Sequence, residues 1–140
     1  MTKTKIIYQG DLRTQSIHES GSILETDAPK DNQGKGDRFS PTDLLAVSLG
    51  SCILTLMGIV AKRLDVDLKG TTAEVEKEMS ITPPRRISRI VTSIYIPIKV
   101  SPDQQTKIEQ AGLTCPVKQS LHPDIKLEID FHWGHLAIQQ

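Results

Sequence analysis

Cys52 and Cys115 are the two residues of this chain best suited by type to nucleophilic or redox chemistry. A thiol attacks as its thiolate, so a reactive cysteine must sit where negative charge is stabilised. Cys115 precedes Pro116, which places it at the start of a short helix, where free amides and the positive end of the dipole favour an anion. Cys52 lies in the middle of a long apolar run, where a helix has already used its amides. Its charge would need an outside cation, and an arginine is the natural candidate. Taken singly, each cysteine reads first as a small apolar packing residue. Two cysteines are too few for a disulfide scaffold, and in a reducing compartment a disulfide is more often transient and catalytic than structural.

The remaining polar residues give weaker signals. His132 and His135 flank Trp133-Gly134, but two histidines without a neighbouring cysteine or acid motif do not make a metal's coordination sphere, so no metal and no bound cofactor is expected. His18 and His122 fall in turn or loop contexts. Arg85, Arg86 and Arg89 cluster at a hairpin turn, the usual composition of a solvated tip. No glycine loop of the phosphate-binding kind is present.

The elements that position the cysteines can be read from patterning. Between Lys5 and Thr26, apolar residues separated by the turn signals Gln9-Gly10-Asp11 and Glu19-Ser20-Gly21 predict two or three short strands. Ala28–Asp37 reads as a surface loop. Ser40-Pro41-Thr42-Asp43 carries a capping hydroxyl, a proline at the first helical position and an acid at the third, which predicts a helix from Pro41 to about Leu64. Thr72–Ile81 alternates, with Ala73, Val75, Met79 and Ile81 on one face. A turn at Pro83-Pro84-Arg85-Arg86 should lead into a hairpin partner carrying Ile90, Ile94, Ile96, Ile98 and Val100. Ser101-Pro102 opens a second helix that Gly112 is suited to close. A short third helix starts at Cys115-Pro116, and Leu127, Ile129, Phe131 and Trp133 alternate in a final strand. This order lacks regular βαβ alternation, so the class is α+β in a single domain spanning 1–140.

Lysine plus arginine equals aspartate plus glutamate, at 17 each, so no global field recruits nucleic acid or an acidic membrane surface. The N-terminal MTKTKIIYQG lacks a signal peptide's apolar region, and a cytoplasmic location is expected. Leu44–Ala61 runs 18 residues without a charge, near the lower limit for spanning a bilayer. Ser48, Ser51 and Thr55 within it, and the absence of interfacial aromatics, favour a buried helix over a membrane span. One sheet covers only one side of such a helix, so a homodimer enclosing it is expected.

The run Phe39-Ser40-Pro41-Thr42-Asp43-Leu44-Leu45-Ala46-Val47-Ser48-Leu49-Gly50-Ser51-Cys52 resembles the first cysteine motif of the OsmC/Ohr family, named for osmotically inducible protein C and organic hydroperoxide resistance protein. Thr114-Cys115-Pro116-Val117 with Ser120-Leu121-His122-Pro123 resembles its second. The resemblance implies antiparallel sheets around a long buried central helix, in an intertwined homodimer with active sites at the interface. It also implies a chemistry. Cys52 would attack a small organic hydroperoxide and become a sulfenic acid, and Cys115 would condense with it to a disulfide. An external dithiol reductant, a lipoylated protein in the better-understood members, would restore both thiols. Leu45, Leu49, Leu56 and Met57 would wall the site.

The family's peroxidases also place an arginine near the first cysteine and a glutamate ten residues before it that orients the arginine. Arg13 and Arg38 are the candidates for the arginine here, and Thr42 occupies the glutamate's position. Asp43 is an acid, yet it falls on the opposite side of the helix from Cys52. With Thr42 uncharged, the arginine would lack an acid to order it. The competing expectation is therefore a dimeric binding protein for a small hydrophobic or electrophilic molecule, with weak or no turnover.

Overall fold

A computed structural model describes residues 1–135, which divide into two compact units, Met1–Leu45 and Ala46 onward. In the first unit, β1 (Thr4–Gly10), β2 (Arg13–His18) and β3 (Ile23–Asp27) form an antiparallel meander. The β1–β2 turn puts Gly10, Asp11 and Leu12 at positive φ. The β2–β3 hairpin is centred on Ser20, so Ile17 pairs Ile23 and Arg13 pairs Asp27. This unit buries Thr26, Asp27 and Ser40 but none of its large apolar side chains, and Ile6, Tyr8, Ile23, Leu24 and Phe39 are all exposed. A sheet with so little apolar cover cannot support itself by burial.

The first long helix, α1 (Pro41–Arg63), begins as its sequence predicts. The Asp43 amide donates to Ser40 Oγ at 3.0 Å and the Ser40 amide to Asp43 Oδ2 at 2.8 Å, a reciprocal cap. Lys62 and Arg63 occupy its last turn, where cations oppose the dipole's negative end. This helix is long and apolar enough to cross a membrane by length and composition alone. In the fold, however, one stripe of it (Ala46, Leu49, Gly50, Ile53, Met57, Ala61) is buried in the core of the second unit, and the opposite side is left open.

The second unit pairs β4 (Thr72–Met79) antiparallel with β5 (Ile87–Ile96), and β5 with β6 (Lys126–Trp133). Ile90, Ile94 and Ile96 point inward from β5 and are fully buried with Leu49, Ile53 and Met57 of α1. A register shift at Glu78/Met79 pairs Met79 with Ile87, so that Ile87 rather than Ser88 joins the core. Ile81, expected on the inner face of β4, instead lies beyond the strand end in the hairpin turn and is fully exposed. Ile98 and Val100 fall outside β5, which ends before Pro97.

One strand pair departs from the antiparallel arrangement that the family resemblance implies. β5 and β6 run parallel, from Arg89↔Lys126 to Ile96↔Trp133. Between them lie α2 (Pro102–Leu113) and α3 (Pro116–Ser120), a crossover long enough to return the chain in the same direction. Ser101 and Gln104 form a capping box at the start of α2. Trp133 Nε1 donates to Glu109 Oε1 at 3.0 Å, tying β6 to the middle of that helix. Gly112 does not end α2, which continues to Leu113 and is capped by Thr114. Its lack of a side chain serves a close approach instead: a Cβ there would stand 2.9 Å from Ile53 Cγ2 and 3.1 Å from Met57 Cγ.

Candidate active site

The close approach of α2 to α1 determines where the chain goes next. Thr114 ends the helix, the Cys115 amide donates to the Gly112 carbonyl at 3.2 Å, and Pro116 starts α3 with its ring at a position that needs no amide hydrogen. Cys115 is therefore the N-cap of α3, and the Lys118 amide donates to its sulfur at 3.4 Å. The side chain is fully buried in the same apolar core as Ile53 and Met57. Cys52 packs half-buried against that core, and both cysteines are free. The fold thus gathers at one core two cysteines 63 residues apart in sequence.

The electrostatics of Cys115 reverse the sequence-based expectation. Burial pushes its thiol above the ordinary cysteine value, and the influence of Cys52 adds to the rise. The Lys118 amide acts in the opposite direction but is outweighed. A five-residue helix does not overcome the cost of placing an anion in an apolar core. Of the expected wall residues, Leu49 and Met57 are fully buried and belong to the core. Leu56 is half-buried and Leu45 is exposed, so these two remain open on α1 with Ser48, Ser51, Thr55 and Ile59. A hollow of about 710 Å³ lies along the C-terminal half of α1, lined in part by Leu54, Lys62, Val66 and Leu68. Neither cysteine lines it, which separates it from the thiol pair.

The candidate arginines both have acid partners, and both partners lie on β3 of the first unit. Arg13 Nε donates to Asp27 Oδ1 at 2.7 Å and Nη2 to Oδ2 at 2.8 Å, a bidentate pair. The Asp37 amide donates to the same carboxylate at 3.1 Å. The hydrogen bond from Arg13 holds the Asp27 carboxyl below the usual range, against the opposing effect of burial. Arg38 Nε donates to Glu25 Oε2 at 2.9 Å, and its Nη1 to the Asp37 carbonyl at 3.1 Å. The expectation that no acid orders these side chains is therefore corrected: Asp27 and Glu25, two residues apart on one face of β3, do so in place of an acid at position 42. Thr42 itself lies 3.1 Å from Ser40 by its hydroxyl, within the helix cap. Sequence reasoning missed Asp27 and Glu25, although the hairpin centred on Ser20 already carries the pairing of Arg13 with Asp27.

Other polar groups of the second unit make surface structure. Arg89 bridges Glu78 and Glu128 across the sheet. His132 stacks on Tyr95 with ring centroids 4.9 Å apart, and His135 meets it edge-on at 6.5 Å. Among the described residues no three His, Cys, Asp or Glu side chains gather as a metal-binding group would.

Comparison with known proteins agrees with this architecture. The family model described as OsmC-like protein matches residues 34–130, a span that contains both cysteines. A protein of Psychrobacter arcticus, provisionally named an osmotic stress induced and detoxification response protein, is 50% identical, with 94% of this chain and 96% of that one covered and a TM-score of 0.89. The organic hydroperoxide resistance protein OsmC of Legionella pneumophila shares the fold at 16% identity, covering 94% and 96% of the two chains with a TM-score of 0.73. An organic hydroperoxide resistance protein of Elizabethkingia anophelis does so at 18% identity, with 95% and 96% covered and a TM-score of 0.74. No curated protein matches the chain. With the family model spanning most of the sequence and both thiols gathered in one α+β core, the chain belongs to the OsmC-like family.

Proposed function

We propose that this protein reduces organic hydroperoxides with Cys52 as the peroxidatic thiol and Cys115 as the resolving one. The observation that carries the reading is the pair of free cysteines at one apolar core, Cys115 fully buried within it and Cys52 half-buried against it. The names of the Legionella and Elizabethkingia proteins support the substrate class. The Cys52 thiolate attacks the terminal peroxide oxygen, the O–O bond breaks, and the departing alkoxide takes a proton and leaves as an alcohol. Cys115 then attacks the sulfenic sulfur, forming a disulfide and releasing water. A dithiol reductant, such as a lipoylated protein, returns both thiols by exchange.

Arg13 or Arg38 supplies the cation for the Cys52 thiolate in this reading, with Asp27 or Glu25 fixing its orientation. The protein works as a homodimer in the cytoplasm. The exposed apolar residues of the N-terminal sheet and the open side of α1 support a second copy as their cover. The uncharged Thr42 favours a second reading, a dimeric protein that binds a small electrophilic or hydrophobic molecule without turnover. Cumene hydroperoxide with excess dithiol separates the two: sustained consumption of peroxide supports the enzyme, and thiol loss without turnover supports the binder.

A further inference from the structure

Two glycines interrupt α1, and only one of them has a packing reason among the described residues. At Gly50 an added Cβ would stand 3.0 Å from Val75 Cγ1, so that glycine serves the approach of α1 to β4. At Gly58 an added Cβ would meet nothing within 4 Å. Glycine inside a helix weakens it relative to alanine, so Gly58 lowers the stability of α1 without closing any contact. What lies over it is the hollow of about 710 Å³, a volume within the range of small-molecule sites.

Leu54, Gly58 and Lys62 line that hollow from α1, four residues apart and therefore on one side of the helix. The facing wall is the chain that leaves α1, and hydrogen bonds fix its path. Asp65 adopts φ 55°, its amide donates to the Lys62 carbonyl at 3.3 Å, and the Val66 amide donates to the Ala61 carbonyl at 2.9 Å, which is the Schellman pattern. Further on, the Lys69 amide donates to Asp67 Oδ1 at 2.9 Å, and the Thr71 amide and hydroxyl donate to the Leu68 carbonyl at 3.0 and 2.7 Å. Leu54, Val66 and Leu68 are half-buried and give the hollow an apolar surface, whereas Lys62, Asp65, Asp67 and Lys69 are exposed at its edge. Among the described residues neither ammonium group has an ion pair or hydrogen bond, Asp67 is engaged by the loop's own amide, and Asp65 is the free carboxylate. The edge thus offers two unpaired cations against one unpaired anion. We propose that this hollow binds a single-chain amphipathic carboxylate, its alkyl chain over Gly58 against Leu54, Val66 and Leu68 and its head on Lys62 and Lys69. Neither cysteine lines the hollow, so the site goes beyond the peroxidase reading and does not depend on it.

The test is titration calorimetry of the full chain at neutral pH with decanoate below its micelle-forming concentration. Decyltrimethylammonium, which carries the same chain on a cationic head, is titrated beside it. The expected result is one decanoate per chain, with the cationic probe at least about tenfold weaker. Lys62→Gln and Lys69→Gln should each weaken decanoate about threefold and together about tenfold, and Asp65→Asn should tighten it about twofold, the size expected of exposed charges. Gly58→Leu puts a side chain into the hollow and should abolish binding, while Gly58→Ala retains it. Circular dichroism and light scattering follow fold and mass. Should the leucine variant lose its fold, the exposed lysine and aspartate variants decide the matter. The proposal is overturned by a wild type that does not bind decanoate, by equal binding of the two probes, or by undiminished binding in a folded Gly58→Leu. A changed mass in Gly58→Leu also overturns it, because the space over the glycine would then belong to a contact between copies. No peroxide is used, so the result is separate from peroxide turnover.

Discussion

Substituting Gly112 by alanine tests how the fold holds the two thiols together. The added carbon would lie 2.9 Å from Ile53 Cγ2 and 3.1 Å from Met57 Cγ, where apolar carbons ordinarily stay about 3.5–4.0 Å apart. α2 must therefore move away from α1 by roughly half an ångström or more, or Ile53 and Met57 must leave their positions in a filled core. Overpacking of this kind costs about 1–3 kcal/mol. Alanine recovers about 1 kcal/mol of helix propensity, because Gly112 lies inside α2. The net is a loss of about 0–2 kcal/mol, or up to about 7 °C in Tm for a chain of this length. The functional effect should be larger than the thermal one. Cys115 hangs from the Gly112 carbonyl, so the displacement moves it relative to Cys52. Single-turnover experiments should show sulfenic acid forming on Cys52 at near the wild-type rate while disulfide closure slows. A Tm raised by about 3 °C, the propensity gain alone, together with disulfide closure at the wild-type rate, would refute the close-packing argument.

Three further outcomes follow from particular residues. Thr92 is fully buried on β5 and its hydroxyl has no hydrogen-bond partner among the described residues, so Thr92→Val should stabilise the protein by about 1 kcal/mol, read as a Tm rise of about 3 °C; a fall in Tm would show that the hydroxyl is satisfied. Asp27 has a folded-state carboxyl held below its unfolded value, so its contribution is fully present above about pH 4 and is lost as pH falls through the lowered folded value. Denaturant melts of Asp27→Asn should accordingly lie below wild type at neutral pH and converge with it in acid, and a gap independent of pH would contradict the assignment. Light scattering at micromolar concentration should give the mass of a dimer, because a monomer would leave the N-terminal sheet and half of α1 uncovered.

Much of this architecture was legible in the sequence where the signal is local. Ser40, Pro41 and Asp43 marked the start of α1 because a cap needs only neighbouring residues, and period-two alternation marked β4 and β6. Features that depend on distant partners were not legible. Gly112 reads as a helix terminator until Ile53 and Met57 are seen against it. Ile81 continues the alternation of β4, but the chain has already turned. The parallel pairing of β6 depends on how two intervening helices return the chain, which strand patterning does not encode. For Cys115 the local cue, a helix start, pointed to a stabilised anion. Burial, a property of the folded core, decided the opposite. The two cysteines were found by type and motif, whereas Asp27 meets Arg13 through strand register and Arg38 reaches Glu25 from the loop that follows β3, contacts that no local pattern encodes.

The proposed chemistry is tested most directly by a stoichiometric reaction of the reduced protein with cumene hydroperoxide, followed by mass spectrometry of the unreduced digest. The expected outcome is one alcohol released per chain, loss of both thiols, and a peptide pair joined through Cys52 and Cys115, with Cys52→Ser inert. Peroxide left unconsumed with both thiols still free, or oxidation that proceeds unchanged in Cys52→Ser, would contradict it.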